Sequence, residues 1–192
     1  QEIELLNPNT RTCPVFRSRK DAELTKAIHR RVPVLWREAK EAEPVQNAWG
    51  LSFKTLFHMS NDSHYFRTAE ELVASGYQLE GNTFRGPNDR HLPLYEAKMV
   101  HQFDHRWATY EQDLESRFTT SAEKSNPSSF VQPRFWVLDK VVEAAVPAEA
   151  ARWFLAWGDI CRANDERTLI ASAVPRVAVG NKIPLFGSTA QP

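Results

Sequence analysis

The sequence lacks an excess of charge of either sign. Its 24 Lys and Arg residues balance 24 Asp and Glu residues, so the formal net charge is zero. A domain that binds nucleic acid on its own is usually strongly basic. Any DNA-binding surface in this chain must therefore come from locally segregated charge, or the binding must be shared with another domain.

Cysteine is scarce, and long hydrophobic runs are missing. Cys13 and Cys161 are far apart and form neither a zinc-binding pattern nor a disulfide framework. No apolar run approaches the ~20 residues of a membrane-spanning helix, and the first residues lead us to expect no signal peptide. We therefore expect no membrane partner and a reducing, cytoplasmic location. Because the first residue is Gln1 rather than Met, we expect either a trimmed chain or a fragment excised from a longer protein.

The rest of the composition is that of an ordinary globular protein. Of 192 residues, 42% are hydrophobic and 25% are charged, which is enough for one domain with a core. Short strand-like and helix-like segments are mixed along the chain, which predicts an α+β fold with a twisted, mainly antiparallel sheet and a few short helices. We predict a connecting segment with one basic helix at 1–50 and a mixed α+β domain at 51–192, unless both form one continuous domain.

Local signals predict the positions of several elements. Ser18 followed by Asp21 predicts the start of the basic helix, and Pro33 predicts its end. Thr68 and Glu71 form a capping box that opens a short helix. Other patterns predict strands at 51–57, at 77–84 with a turn at Gly81-Asn82, at 134–138 and at 168–174, and a short helix at 139–146.

Three further segments have a clear pattern. Residues 1–17 contain two prolines and no helical period, so we expect them to be extended or looped. Residues 119–129 are small and polar, which predicts a mobile loop. The run WFLAWGDI (153–160) is almost continuously apolar, which predicts a buried strand with Trp153 and Trp157 in the core.

The stretch LPLYEAKMVHQFDHRWATY (92–110) is the most distinctive part of the chain. Polar and aromatic residues alternate along it, which predicts one extended strand with a chemically rich face. That face either covers core aromatics or contacts DNA. In the second case Lys98 and Arg106 would meet phosphates, and three further side chains would reach phosphates or base edges, namely His101, Gln102 and His105.

The same stretch raises the question of a metal site. His101, Asp104 and His105 are possible metal ligands by type. In a strand, however, residues four apart lie ~13 Å from each other, which is too far for one ion to bridge. We therefore expect no metal ion, and an independent hydrolase built on these three residues is the least favoured function.

A second polar cluster, CRANDERT (161–168), follows the apolar run. It is either a charged turn with internal ion pairs or a turn that contacts DNA or a neighbouring domain. Its candidate DNA contacts are Arg162, Asn164 and Arg167. The basic helix offers further candidate phosphate contacts, which are Arg19, Lys20, Lys26, Arg30 and Arg31.

Four long segments resemble, in order, the C-terminal region of large type IIG-like adenine-specific DNA methyltransferases of restriction-modification and phage-defence systems. They are LNPNTRTCPVFRSRKDAELTKAIHRRVPVL (6–35), FHMSNDSHYFRTAEEL with the strand that follows it (57–84), PLYEAKMVHQFDHRWATY (93–110) and FLAWGDICRANDERTLIASAVPRVAVGNKIPLF (154–186). The resemblance implies a parent enzyme whose upstream domain binds S-adenosylmethionine and methylates adenine at N6. It also implies that this region recognises and clamps double-stranded DNA beside that domain.

The chain itself lacks the motifs of methyl transfer. None of its seven glycines stands in a Gly-x-Gly turn of the kind that approaches the cofactor. The segment 7–10, Asn-Pro-Asn-Thr, imitates the catalytic Asn-Pro-Pro-aromatic loop only superficially. We therefore expect no cofactor and no catalytic residue in this chain. The alternative function is a protein-interaction module that docks on a methylase, helicase or nuclease, which the neutral net charge would suit.

Overall fold

The computed structural model describes residues 2–32, 34–39, 44–146, 152–162 and 164–188. These residues form five α-helices and twelve strands, and most of the strand pairs are antiparallel. The fold is therefore α+β with twisted antiparallel sheets and short helices, as predicted. The chain divides into two compact units, Gln1–Ser52 with Gly187–Pro192, and Phe53–Phe186. Among the described residues, no helix is both long and apolar enough to cross a membrane.

The elements are short. The helices are α1 (Glu2–Leu6), α2 (Arg19–Arg31), α3 (Ala69–Ala74), α4 (Ser121–Ser125) and α5 (Asp139–Ala145). The strands are β1 (Leu51–Lys54), β2 (Phe66–Arg67), β3 (Gln78–Glu80), β4 (Thr83–Arg85), β5 (Arg90–Tyr95), β6 (Ala108–Tyr110), β7 (Ser116–Phe118), β8 (Trp136–Leu138), β9 (Trp153–Trp157), β10 (Ala171–Pro175), β11 (Ala178–Val179) and β12 (Leu185–Ser188).

The smaller unit contains the basic helix α2. The Ser18 hydroxyl accepts a hydrogen bond from the Asp21 backbone N–H at 3.1 Å, which confirms the predicted start. Pro33, the predicted end, lies outside the described residues. The apolar stripe of α2 stays uncovered, because Leu24 and Ile28 are both mostly exposed.

The helix α1 corrects the expectation that residues 1–17 lack helical structure. Its first turn holds Glu2 and Glu4, and carboxylates there interact favourably with the positive end of the helix dipole. Glu2 also bridges to Lys26 of α2, with 3.1 Å between Oε2 and Nζ. The two prolines lie beyond the end of α1, at positions 8 and 14, where they do not interrupt it.

The larger unit has its main core around a six-stranded sheet. Its strand order is β2-β8-β5-β4-β3, and β11 pairs with β5 in parallel. Because β5 is central, residues 91–95 are all buried. The Thr68–Glu71 capping box forms as predicted and opens α3. The turn between β3 and β4 also forms as predicted, with Gly81 at φ +66°.

A four-stranded sheet with the order β1-β12-β9-β10 contains the apolar run. The strand β9 forms as expected, but its register corrects the predicted core. Phe154 is 7% exposed and faces inward, whereas Trp153 is 56% exposed and Leu155 is 43% exposed. Successive side chains of a strand point to opposite faces. In the described part of the chain, the face of β9 with Phe154 is buried, and the face with Trp153 and Leu155 is largely exposed. Trp157 is half-buried, with its ring centroid 4.1 Å from that of Phe186.

The stretch 92–110 is not one strand, which corrects the prediction. The strand β5 ends at Tyr95, a 3-10 turn follows at Ala97–Met99, and the chain folds back before β6 begins at Ala108. The polar side chains of this stretch bond other segments: Gln102 accepts from Ala171, and Arg106 donates to carbonyls at and beyond α4. Their alternation with aromatic residues therefore does not mark one face of a strand.

The segment 119–129 also differs from the predicted loop, because it contains α4. The Thr120 hydroxyl accepts from the Glu123 backbone N–H at 3.2 Å, and the Glu123 carboxylate accepts from the Thr120 N–H at 2.7 Å. This capping box was readable as Thr-x-x-Glu, but the small polar residues around it indicated a loop.

Candidate functional site

Residues 98–107 form a tight hairpin, called the 98–107 hairpin below. The backbone N–H of His101 donates to the Asp104 carbonyl at 2.8 Å, and that of Asp104 donates to the His101 carbonyl at 3.0 Å. Gln102 and Phe103 are the two central residues of the turn between them. Phe103 has φ +61°, and its side chain is 83% exposed.

The tip of this hairpin is joined to the start of β10. The Gln102 side-chain Oε1 accepts from the Ala171 backbone N–H at 3.0 Å, and the Phe103 N–H donates to the Ala171 carbonyl at 2.8 Å. Ala171 pairs with Trp157, the last residue of β9. The connection between β9 and β10, which includes CRANDERT, therefore begins and ends beside the hairpin tip. The fold brings together two segments that are separate in sequence.

The other side of the hairpin is joined to α4. The Arg106 guanidinium donates to three backbone carbonyls, those of Lys124, Asn126 and Ser129. Asp104 pairs with the Lys124 Nζ at 2.6 Å and also accepts from the Arg106 backbone N–H at 2.8 Å. These bonds occupy Arg106 inside the fold, whereas the sequence suggested a phosphate contact.

An aromatic surface lies along the hairpin and β7. The rings of His101 and Trp107 are stacked, with centroids 4.3 Å apart and an interplanar angle of 24°. Lys124 Nζ lies 4.8 Å from the centroid of the Trp107 ring, a cation–π contact. Exposed Phe118 extends the surface, 5.2 Å from Trp107 between centroids. Sequence reasoning missed Lys124 and Phe118, because no single motif joins them to the hairpin.

The remaining candidate DNA contacts of the hairpin, Lys98 and His105, differ in their exposure and surroundings. Lys98 is exposed and makes no ion pair with any residue that the structure describes. His105 is half-buried, and its ring centroid is 6.5 Å from that of Tyr95. Burial, and then the neighbouring charge of Arg106, lower the pKa of His105.

The candidate DNA contacts of the CRANDERT segment are all exposed. Arg162, Asn164 and Arg167 project from the connection, and Ala163 lies outside the described residues. The Asp165 carboxylate accepts from the Arg162 backbone N–H at 2.6 Å. Neither arginine forms an ion pair within the described part of the chain, so the interpretation as a turn closed by internal ion pairs has no support there.

The three possible metal ligands have separate roles. His101 stacks on Trp107, Asp104 pairs with Lys124, and His105 lies against the core. In the described ranges, no group of three or more His, Cys, Asp or Glu side chains is arranged to hold a metal ion.

Two neighbouring cavities of about 660 and 160 Å³ share the side chains of Tyr110 and Arg134. Arg134 forms a bidentate pair with Glu96, at 2.9 and 2.5 Å, and its guanidinium carbon lies 5.1 Å from the centroid of the Tyr110 ring. Burial, and then the charge of Glu96, raise the pKa of Tyr110. Lys98 lines the smaller cavity. The larger one is rimmed by acidic side chains, which are Glu70, Glu111 and Asp113.

No family model matches this chain, and neither a curated protein nor a solved structure matches it. The resemblance of the four quoted segments to adenine-specific methyltransferases therefore stays a prediction from the sequence. Within the fold, parts of the third and fourth segments meet at Ala171.

Proposed function

We propose that this chain is a DNA target-recognition and clamping region of an adenine-N6 DNA methyltransferase, whose upstream domain would supply S-adenosylmethionine. The main support is the junction at Ala171. It joins the hairpin with Lys98 to the connection with Arg162 and Arg167. These three cations are exposed and form no ion pair with the described residues, so they are available to phosphates.

The chemistry of this surface suits DNA in two ways. The exposed cations would contribute attraction that is independent of sequence. Asn164, whose amide can form paired hydrogen bonds with adenine, and the exposed aromatic rings would contact bases. In the larger unit, acidic side chains slightly outnumber basic ones, so we expect weak DNA binding by the chain alone and stronger binding by the parent enzyme.

A salt titration of duplex binding tests this proposal. Fluorescence anisotropy of a labelled duplex would be followed from about 50 to about 200 mM salt for the wild type and for Lys98→Ala, Arg162→Ala and Arg167→Ala. Each substitution should lower the slope of log K against log salt by roughly one unit. Lys140→Ala is the control, because Lys140 is an exposed lysine on α5. Equal slopes for all four variants and the wild type would contradict the proposal.

A protein-interaction module is the second candidate, and one observation favours it. The apolar stripe of α2 and its C-cap, formed by Leu24, Ala27, Ile28 and Val32, is mostly exposed. If this stripe binds the upstream domain, Leu24→Glu with Ile28→Glu should abolish co-elution of the two, and Thr25→Glu should not. A retained co-elution in the double variant would count against docking through α2.

A further inference from the structure

We propose that Phe103 is a wedge that inserts between stacked bases of duplex DNA. The inference rests on the proposed function and assigns to this residue the deformation of the DNA. Phe103 has two unusual properties, a backbone φ of +61° and a side chain that is 83% exposed.

The first property makes phenylalanine an unfavourable choice for the position. The second central residue of such a turn usually needs positive φ, and glycine adopts it without a steric penalty. An L-residue with a Cβ atom is strained there. The conformation persists because the surroundings fix it, through the two His101–Asp104 hydrogen bonds and the two bonds to Ala171.

The exposure of the Phe103 side chain means that packing does not offset the backbone strain. A ring that is 83% exposed gains little from packing within this chain. Phe103 therefore combines backbone strain with little burial, on a tip that four hydrogen bonds hold rigid. Strain of this kind is concentrated at functional positions, where a partner makes use of the strained group.

Two exposed arginines on the connection that meets the tip support duplex DNA as that partner. Arg162 and Arg167 lie on the connection that meets the tip, and Asp165 is turned toward the Arg162 backbone N–H. Asp104 at the base of the turn is neutralised by Lys124. Proteins that kink DNA insert apolar side chains between base steps while cations hold the flanking phosphates. The Phe103 ring is the exposed apolar group, and the exposed arginines on the connection that meets the tip are the cations.

The substitution Phe103→Gly distinguishes a DNA-binding role of the ring from a structural one. Loss of a ring that stabilised the fold would lower the Tm, whereas loss of a strained, unpacked ring should raise it. Removal of the strain should raise the Tm by roughly 2–4 °C. Loss of the ring should weaken duplex binding by about 5- to 150-fold, the range expected for one stacked base. In a duplex with 2-aminopurine at a flexible TA step, wild-type binding should raise the fluorescence by unstacking, and the variant should not.

The chain offers a matched control in Leu114. This residue is also an exposed large apolar side chain at positive φ, +64°, but it lies between β6 and β7. Leu114→Gly should raise the Tm in the same way and leave duplex binding and 2-aminopurine fluorescence unchanged. Phe103→Asn, which also tolerates positive φ, should repeat the binding defect of Phe103→Gly.

The outcomes separate the wedge from the proposed function. If the wild type binds duplex DNA with a salt slope that depends on Lys98, and Phe103→Gly retains the affinity and the fluorescence response, the wedge is overturned and the function stands. If the wild type binds no DNA at low salt, both are overturned. A fall in Tm for both Phe103 variants would overturn the premise that the ring is strained and unpacked.

Discussion

The Gln102 side chain accepts a hydrogen bond from the backbone N–H of Ala171, with 3.0 Å between Oε1 and N, across 69 residues of sequence. The bond anchors the hairpin tip to the first residue of β10. The sequence suggested Gln102 as a contact to DNA, but its carbonyl oxygen is already used inside the fold.

We therefore expect Gln102→Ala to lower the free energy of unfolding. It would leave the half-buried Ala171 N–H without its acceptor, at a cost of about 1–2 kcal/mol. Urea denaturation followed by tryptophan fluorescence would measure the change. Gln112→Ala is the control, since Gln112 is exposed, and an equal small effect in both variants would show that the anchor contributes nothing.

Arg106 should be important for stability rather than for the salt dependence of DNA binding. Its guanidinium donates to three carbonyls at and beyond the end of α4. Arg106→Ala should cost about 1.5–3 kcal/mol, the range for hydrogen bonds with a charged partner. Arg85→Ala, which removes an exposed surface pair with Glu80, should cost less than ~1 kcal/mol. Equal losses of stability in both variants would contradict this role.

The register of β9 can be tested with two neighbouring aromatics. Phe154→Ala should cost about 3–5 kcal/mol, because it opens a cavity in the core. Trp153→Ala should change stability by only about 0.5 kcal/mol, because this side chain is mostly exposed. Thermal unfolding of both variants provides the comparison, and a larger loss in Trp153→Ala would reverse the assignment of the two faces.

Glu96 should contribute to the raised pKa of Tyr110, against the opposing charge of Arg134. Burial is the largest cause of its raised pKa, and Glu96 adds to it. Glu96→Gln removes the negative charge beside the phenol, so the pKa of Tyr110 should fall toward its ordinary value. Tyrosinate absorbance, with Tyr110→Phe as the reference, would record the shift. Glu115→Gln is an exposed control, and an unchanged pKa in Glu96→Gln would exclude the coupling.

Two histidines should make the protein less stable in mild acid. Burial lowers the pKa of His91 and of His105 below the ordinary histidine value of about 6.5. Between the folded-state pKa of each histidine and its unfolded-state pKa of about 6.5, the unfolded chain binds a proton that the folded chain does not. The free energy of unfolding therefore decreases as the pH falls below about 6.5. The decrease should stop below the folded-state pKa values.

Denaturation at a series of pH values would show this dependence. His91→Phe and His105→Gln should each flatten the curve between about pH 6.5 and the folded-state values. Carboxylates act in a separate, lower window: Arg117 lowers the pKa of Glu123 to about 2, and Arg176 lowers that of Glu143. A curve of unchanged slope in both histidine variants would contradict the prediction.

The sequence alone determined features that depend on neighbouring residues. The caps at Ser18 and Thr68 were predictable, because a side-chain oxygen bonds an N–H only three residues away. The turn at Gly81 was predictable because positive φ favours glycine. The α+β class followed in the same way from the sum of short local patterns, and the cap at Thr120 could have been predicted on the same principle.

Only the tertiary structure determined which face of each strand is exposed and which polar side chains form hydrogen bonds inside the fold. Period-two alternation in β9 could not show that Phe154 rather than Trp153 faces the core, because both are apolar and the sheet chooses one face. Likewise, Gln102 and Arg106 looked available in the sequence, but their partners are Ala171 and the carbonyls around α4, which are distant in the chain. Hydrogen bonds between distant segments form only when the whole core brings those segments together, so no local pattern encodes them.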